Sequence, residues 1–191
     1  MKLENSFEVA APPEAAWELL MDVPRIVPCM PGAELTETVD DSNWKAKMGV
    51  KLGPISLTFD TDVKREEADE AARRVTLSAN AREVRNRGRA QATIASTLTS
   101  SDGGTKIDIV TDLTLSGPAA QYGRGLIQDI SSQLVTTFAE CLQAQLGAAP
   151  GEAEAAVAAQ AKPISGLSLF FAALIAPLRR AIRRLKGGKN V

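Results

Sequence analysis

The run WKAKMGVKLGPISLTFDTDVK, residues 44–64, carries the strongest structural signal in the chain. In residues 44–52, and again in residues 55–63, mostly apolar side chains alternate with polar ones, and Gly53-Pro54 separates the two runs. An alternation with a period of two is typical of a β-strand that has one buried face and one solvated face. A Gly-Pro pair marks a turn. The stretch therefore predicts two neighbouring strands joined by a short connection.

The same alternation predicts five more strands on either side of this stretch. Turn residues such as Asp102-Gly103-Gly104 separate them. The predicted strands cover residues 2–9, 33–39, 75–81, 90–98 and 107–115. Each has one apolar and one polar face, which is the pattern of an antiparallel sheet covered on one side only.

Two helical regions complete the pattern. Pro12-Pro13 open a helix that continues to Met21, and the run PRIVPCMPG (24–32) predicts a helical turn followed by a Pro-Gly turn. A longer helix follows Ser116-Gly117-Pro118, because apolar residues recur there at spacings of three, four and seven. They are Leu126, Ile127, Ile130, Leu134, Val135, Phe138 and Cys141. The predicted class is α+β: a curved antiparallel seven-stranded sheet wrapped around a long C-terminal helix.

Small side chains are concentrated on the inward face of two neighbouring strands. They are Ala79, Ala81, Ala90, Ala92 and Ser96. Small residues opposite a helix either let the helix pack closely or leave a hollow that a ligand can fill. The residues alone leave both interpretations open.

The chain has 191 residues and no histidine. This excludes Ser-His-Asp and Cys-His catalysis and most catalytic zinc sites. The two cysteines, Cys29 and Cys141, form no CxxC pair, so we expect neither a metal site nor a disulfide framework. We interpret Cys29 as a small apolar residue beside a cavity mouth and Cys141 as a core residue.

We predict no catalytic residues. The inward-phase charges Glu37, Glu83 and Arg85 fall near strand ends, where we expect a solvated rim. Tyr122 and Arg124 open the long helix, and either contact a polar group of a ligand or pack against the Pro-Gly loop. An enzyme of the polyketide cyclase type remains an alternative, to be tested at Glu37, Glu83 and Tyr122.

The charge is divided unevenly along the chain. Residues 1–146 hold 15 Lys and Arg against 21 Asp and Glu, a net charge of −6, and residues 147–191 hold 7 against 2, a net charge of +5. The basic residues of the tail lie among Leu and Ile rather than among exposed aromatics of a folded domain. This argues against nucleic acid as a partner and favours a basic tail that binds surfaces.

The C-terminal region divides into a linker and an anchor. Residues 147–163 are rich in Ala, Gly and Glu, and predict a flexible linker after a ligand-binding domain at 1–146. Residues 164–191 predict a basic amphipathic tail that lies in the surface of an anionic membrane. Its membrane-binding residues are Leu169, Phe170, Phe171, Leu174, Ile175, Leu178, Arg179, Arg180, Arg183 and Arg184.

Two other interpretations of the tail stay open. One is a helix docked on the acidic body or on a partner protein, and the other is a helix that crosses the membrane. The uncharged run at residues 163–178 is short for a crossing, which needs about 20 apolar residues. The N-terminus lacks an apolar signal core, so we expect a cytoplasmic body attached peripherally to the inner face of the cell membrane.

Four motifs resemble the CoxG family of carbon monoxide dehydrogenase proteins. They are FEVAAPPEAAW (7–17), CMPGAEL (29–35), VKLGPISLTF (50–59) and SGPAAQYGRGLIQD (116–129). The resemblance covers residues 1–146 and implies a START-like helix-grip fold that holds a hydrophobic ligand between sheet and helix. It also implies an accessory protein that attaches a molybdenum-containing carbon monoxide dehydrogenase to the membrane, without a covalent cofactor or a metal of its own.

We hypothesise that the ligand is an isoprenoid quinone, which this protein presents to the dehydrogenase to link it to membrane electron transport. Its partners are then the dehydrogenase subunits, the quinone and an anionic membrane surface. The alternative is an adaptor or assembly factor that recruits the dehydrogenase without a ligand. The predicted ligand-binding residues are Cys29, Met30, Met48, Val50, Leu57, Phe59, Leu77, Ala92, Ile94, Ile109, Leu113, Tyr122, Leu126 and Ile130.

Overall fold

The computed structural model describes residues 1–52, 55–85 and 87–147. Seven strands are present: β1 (Lys2–Val9), β2 (Ala33–Thr38), β3 (Asn43–Leu52), β4 (Ile55–Asp69), β5 (Arg74–Glu83), β6 (Arg89–Ser101) and β7 (Gly104–Leu115). The helices are α1 (Pro13–Met21), α2 (Val23–Ile26) and α3 (Arg124–Gly147), with 3₁₀ turns at Val27–Cys29 and Gly117–Gln121. This is the predicted order of elements.

All seven strands form one antiparallel sheet in the order β1-β7-β6-β5-β4-β3-β2. The two runs of residues 44–64 pair as neighbouring strands, since Val50 lies opposite Leu57 and Met48 lies opposite Phe59. The two edge strands, β1 and β2, do not pair with each other, so the sheet stays open. Its alternating pattern places one apolar face inward, and α3 covers that face.

Helix α3 is seated on the edge strand β1. The Arg124 guanidinium donates to the Lys2 carbonyl oxygen (3.0 Å), the Asn5 amide donates to Ser131 Oγ (2.9 Å), and the Ala10 N–H donates to Gln143 Oε1 (2.6 Å). These hydrogen bonds are spread over the length of the helix, so α3 follows β1 rather than lying over the middle of the sheet.

The main core fills the end of the molecule where α1 and the last turns of α3 meet the sheet. Trp17, Leu98, Ile107 and Leu142 are all buried there. Phe138 packs edge-to-face on Phe7 with ring centroids 6.2 Å apart, a favoured arrangement for aromatic pairs.

The expectation that the two cysteines are separate is wrong. Cys29 and Cys141 form a disulfide with Cα atoms 5.3 Å apart, and each residue is only 2% exposed. The two cysteines are 112 residues apart and belong to no common sequence motif. They meet because the fold places the 3₁₀ turn at Val27–Cys29 against the apolar face of α3. Gln145 adds to this contact by donating to the Arg25 carbonyl oxygen at 3.0 Å.

Removing the disulfide should destabilise the fold, because the bond closes a long loop and restricts the unfolded chain. We expect Cys29→Ser and Cys141→Ser each to lower the free energy of unfolding by about 2–4 kcal/mol. Urea denaturation with and without reductant measures this. Reductant should lower the urea midpoint of the wild type to that of the variants and should leave the urea midpoints of the variants unchanged. Equal stability of all forms would contradict the pairing.

Candidate ligand groove

An apolar groove of about 360 Å³ runs between α3 and the β3–β4 hairpin. It lies on the side of α3 that faces away from β1. The groove is lined by Pro31, Gly32, Gly49, Val50, Lys51, Ser56, Leu57, Thr58, Ile130, Gln133, Leu134 and Thr137. Its volume falls within the range of small-molecule sites, which are concave and mostly apolar with few polar groups.

The Pro31-Gly32 turn forms one end of the groove, and its geometry requires glycine. Gly32 has φ +81°, and a Cβ added there would lie 2.3 Å from the Gly49 carbonyl oxygen. The Gly49 N–H donates to the Gly32 carbonyl oxygen at 2.8 Å. Gly32 thus lets the turn lie directly on β3, and the CMPG sequence positions the groove wall.

The floor of the groove belongs to a second apolar cluster, separate from the main core. Leu57, Phe59 and Ala119 are its buried members. Met48, Val50, Tyr122 and Ile130 pack against them and are half-buried. A ligand in the groove would therefore rest on apolar side chains from β3, β4 and α3.

The structure divides the predicted ligand-binding residues into groups. Val50, Leu57 and Ile130 line the groove, and Met48, Phe59 and Tyr122 belong to the cluster beneath it. Cys29, Met30, Leu77 and Ile109 belong to or pack on the main core instead. Leu126 is 40% exposed near the start of α3.

The remaining predicted residues, Ala92, Ile94 and Leu113, are half-buried on the covered face of β6 and β7. Ala92 lies between Ala79 of β5 and Leu113 of β7 in the sheet register. At the end of the sheet near α1, by contrast, Leu98 is fully buried. The small side chains of these strands are half-buried, and Ala81 and Ala90 pack against the second apolar cluster.

Sequence reasoning missed several lining residues. Leu134 falls on the apolar stripe of α3, and this signal could have identified it. Gln133 and Thr137 interrupt that stripe, so only the direction in which α3 is seated reveals that they face the groove.

A larger cavity, of about 550 Å³, lies on the solvent face of the sheet. Its lining includes the charged residues Lys45, Asp60, Asp62, Arg82 and Arg89. Along their strands, those residues occupy the polar positions of the alternation, which face away from the covered side of the sheet. This cavity therefore suits polar contacts and not a hydrophobic ligand.

The expectation of a solvated rim at Glu83 is wrong. Glu83 is 2% exposed, and its carboxylate accepts from the backbone N–H groups of Arg85 (2.8 Å) and Arg87 (3.2 Å). The Arg87 guanidinium also donates to Glu83 at 2.9 Å, and this bond is the main reason that the pKa of Glu83 is lowered. Glu83 therefore holds the β5–β6 turn together.

The other charged candidates lie elsewhere. Glu37 is exposed and pairs with Lys45 at 2.8 Å, and Arg85 is exposed in the β5–β6 turn. Tyr122 ends the 3₁₀ turn before α3, and the Arg124 side chain binds β1.

The predicted linker after residue 147 and the predicted membrane tail lie outside the described residues. Within the residues that are described, no helix is long and apolar enough to cross a membrane.

An open, seven-stranded antiparallel sheet with a long C-terminal helix on its apolar face is consistent with the helix-grip fold that the resemblance implies. The chain belongs to the carbon monoxide dehydrogenase CoxG family, whose model matches residues 6–147. Membership of this family indicates an accessory role beside a carbon monoxide dehydrogenase. A search of the curated proteins finds no match for the chain.

Solved structures share the fold. A conserved protein from Geobacillus kaustophilus has a TM-score of 0.68 at 19% identity, over 76% of this chain and 95% of that one. A protein from Thermus thermophilus has a TM-score of 0.54 at 14% identity, over 75% and 98%. A protein from Rhodobacter sphaeroides has a TM-score of 0.54 at 17% identity, over 78% and 93%.

The role of Glu83 predicts a specific pH dependence. Because its folded-state pKa is lowered, ionised Glu83 stabilises the fold at neutral pH, and this contribution is lost as the pH falls through the folded-state value. Glu83→Gln should lower the thermal midpoint at pH 7 and flatten its decline on acidification. Thermal unfolding from pH 7 down to pH 3 measures both. Parallel curves for the two proteins would contradict this role.

Proposed function

We propose that this protein is a membrane-tethered accessory protein of molybdenum-containing carbon monoxide dehydrogenase that binds an isoprenoid quinone in the groove beside α3. The observation that carries the proposal is the apolar groove on the covered face of the sheet, in a chain of the CoxG family. The quinone would link the enzyme to membrane electron transport, because a soluble enzyme has no access to a carrier buried in lipid.

The lining of the groove supports a ligand of this class. Val50, Leu57 and Ile130 offer apolar surface, and burial of apolar area contributes about 25 cal/mol per Å². Gln133 projects from α3 at the same site, and an amide is a suitable donor to a quinone carbonyl oxygen. Ligand sites of this kind combine apolar surface with a few polar groups that orient the ligand, and Lys51, Ser56, Thr58 and Thr137 are further polar residues of this lining.

The chemistry proposed is binding and transfer, not turnover. Of the three residues that an enzyme of the cyclase type would use, Glu83 is committed to the β5–β6 turn and Glu37 pairs with Lys45 in solvent. The electrons are handled by the dehydrogenase and the quinone, and this chain supplies the apolar environment and the tether.

The predicted location is the cytoplasmic face of the cell membrane, with the tail as the attachment. Disulfides are uncommon in reducing compartments. Burial of Cys29 and Cys141, each 2% exposed, shields the bond from soluble reductants and is compatible with that location.

Mass spectrometry of an organic extract tests the ligand directly. The full chain is purified from its native membranes in parallel with the variants Val50→Trp and Val39→Trp. Val50 lines the groove, whereas Val39 is 50% exposed in the turn after β2, so the two changes are chemically matched. We expect a stoichiometric isoprenoid quinone with the wild type and with Val39→Trp, and a loss of at least tenfold with Val50→Trp.

Two results would contradict quinone binding. One is an empty extract from folded wild-type protein, which would leave the ligand-independent adaptor that recruits the dehydrogenase. The other is equal quinone content in the two variants, which would place the lipid outside the groove.

Removal of the basic charges of the tail tests whether the tail binds the membrane electrostatically. Neutralising Arg179, Arg180, Arg183 and Arg184 to Gln should weaken binding to phosphatidylserine-containing vesicles by at least a hundredfold, since each basic residue near an anionic surface contributes about 1 kcal/mol. Vesicle sedimentation measures this. Binding that survives the fourfold change would contradict an electrostatic tail anchor. Binding that survives in high salt as well would indicate insertion across the bilayer.

A further inference from the structure

The turns of the sheet lie at two opposite ends of the molecule. In a run of consecutive antiparallel strands, successive connections alternate between the ends of the sheet. The β2–β3, β4–β5 and β6–β7 turns therefore share one end, near α1. The β3–β4 and β5–β6 turns share the other end, where α3 begins.

The two ends differ in charge. At the α1 end, every turn has acidic residues: Asp40 and Asp41, Asp69 and Glu70, and Asp102. Arg73 and Arg74 are the basic residues beside these turns. At the opposite end, residues 82–89 contain four arginines and one acid, and Lys51 stands at the β3–β4 turn. The net charge of −6 on residues 1–146 thus conceals a separation of charge along the sheet.

Most of the positive charge at this end makes no ion pair within the described part of the chain. The one acid of residues 82–89, Glu83, is buried and bound to Arg87. The remaining basic side chains are exposed and unpaired among the described residues. We call this set the basic rim: Lys51, Arg82, Arg85 and Arg89.

The strand register adds to the unbalanced charge of the basic rim. Arg82 and Arg89 lie directly opposite each other on β5 and β6, a like-charge pairing that costs stability. Asp60 lies opposite Arg82 on the other side, on β4, and offsets part of this repulsion without forming an ion pair in the described structure. Lys51 and Arg85 have no acidic residue opposite them in the described register, so the rim stays positive.

The basic rim and the groove meet at Lys51, which lines the groove. Arg82 and Arg89 stand at the same end of the sheet, in the lining of the cavity on its solvent face. The Val84 N–H donates to the carbonyl oxygen of Thr58, another residue of the groove lining, at 2.9 Å, which fixes the β5–β6 turn beside the groove. Val84, the first residue after β5, is 49% exposed, so this turn also presents apolar surface to solvent.

We propose that the basic rim docks the folded body on an anionic membrane surface and places the groove against the bilayer. Lys and Arg near anionic headgroups bind them electrostatically, and the exposed Val84 adds apolar contact. The inference deepens the proposed function and rests on it, since a hydrophobic ligand would then pass from lipid to groove without crossing water.

The exposed Val84 beside the arginines in sequence favours a bilayer over an acidic protein as the partner of the rim. The tail can reach the same bilayer. Helix α3 has 24 residues and is about 36 Å long, and its end at Gly147 is the end remote from the rim. Residues 148–163, at full extension, span about 55 Å. The chain is therefore long enough for the rim and the tail to contact one membrane together.

Two matched double variants of the full chain test the proposal. Arg85→Gln/Arg89→Gln removes two charges from the rim, and Arg25→Gln/Arg74→Gln removes two exposed charges from α2 and from the opposite end of the sheet. Sedimentation with vesicles of phosphatidylcholine containing about 30% phosphatidylserine gives the affinity. We expect the rim variant to bind about thirtyfold more weakly than the wild type, at about 1 kcal/mol for each charge, and the control variant to bind as the wild type.

A thermal midpoint at or above that of the wild type shows that the rim variant is folded, since Arg89→Gln also removes the repulsion with Arg82. If both variants lose affinity equally, net charge alone acts and the rim is not a docking face. If the rim variant binds vesicles normally but loses its dehydrogenase in a pull-down, the rim binds an acidic protein surface. Either result overturns the proposal.

The vesicle-binding test and the quinone extraction can fail independently of each other. Quinone in the wild-type extract together with normal vesicle binding by the rim variant would overturn the docking face and leave the ligand in place. An empty extract together with weakened vesicle binding would overturn the ligand and leave the docking face.

Discussion

The seating of α3 on a single edge of the sheet determines the rest of the structure. Polar groups bind the helix to β1 along its length, as with Asn5 to Ser131 and Ala10 to Gln143. The disulfide and the aromatic contact of Phe138 lock its last turns against the 3₁₀ turn and the main core. Because the helix is held toward β1, its other side stands away from β3 and β4. The apolar groove is the space that this one-sided attachment leaves.

The same arrangement concentrates function at one end of the molecule. The main core, with α1 and the disulfide, provides stability at the end where the turns are acidic. The opposite end combines the groove, a small apolar cluster around Leu57 and Phe59, and turns rich in arginine. The main core and the lining of the groove therefore consist of different residues, so substitutions in the groove need not unfold the protein.

Much of the fold could be predicted from the sequence, because strand alternation and the helical stripe are local signals. The runs on both sides of Gly53-Pro54 indicated the hairpin, and the spacing of apolar residues after Pro118 indicated α3. Three features depend on long-range packing and have no local signal. The stripe shows which face of α3 is apolar but not which strand it follows, so Gln133 and Thr137 were missed as groove residues. Cys29 and Cys141 meet only in the folded chain. Glu83 lies in the inward phase of β5, but its burial depends on Arg87 folding back across the turn.

If α3 stands away from the sheet to hold a hydrophobic ligand, binding must protect the backbone on both sides of the groove. Amide hydrogen exchange with and without a short-chain isoprenoid quinone measures this, because exchange reports protection segment by segment. We expect slower exchange in residues 130–137 of α3 and in residues 49–52 and 55–58 of the β3–β4 hairpin, and no change around Cys141, which the disulfide already holds. Unchanged exchange in the groove segments, or protection confined to the solvent face of β5 and β6, would show that the groove is not the binding site.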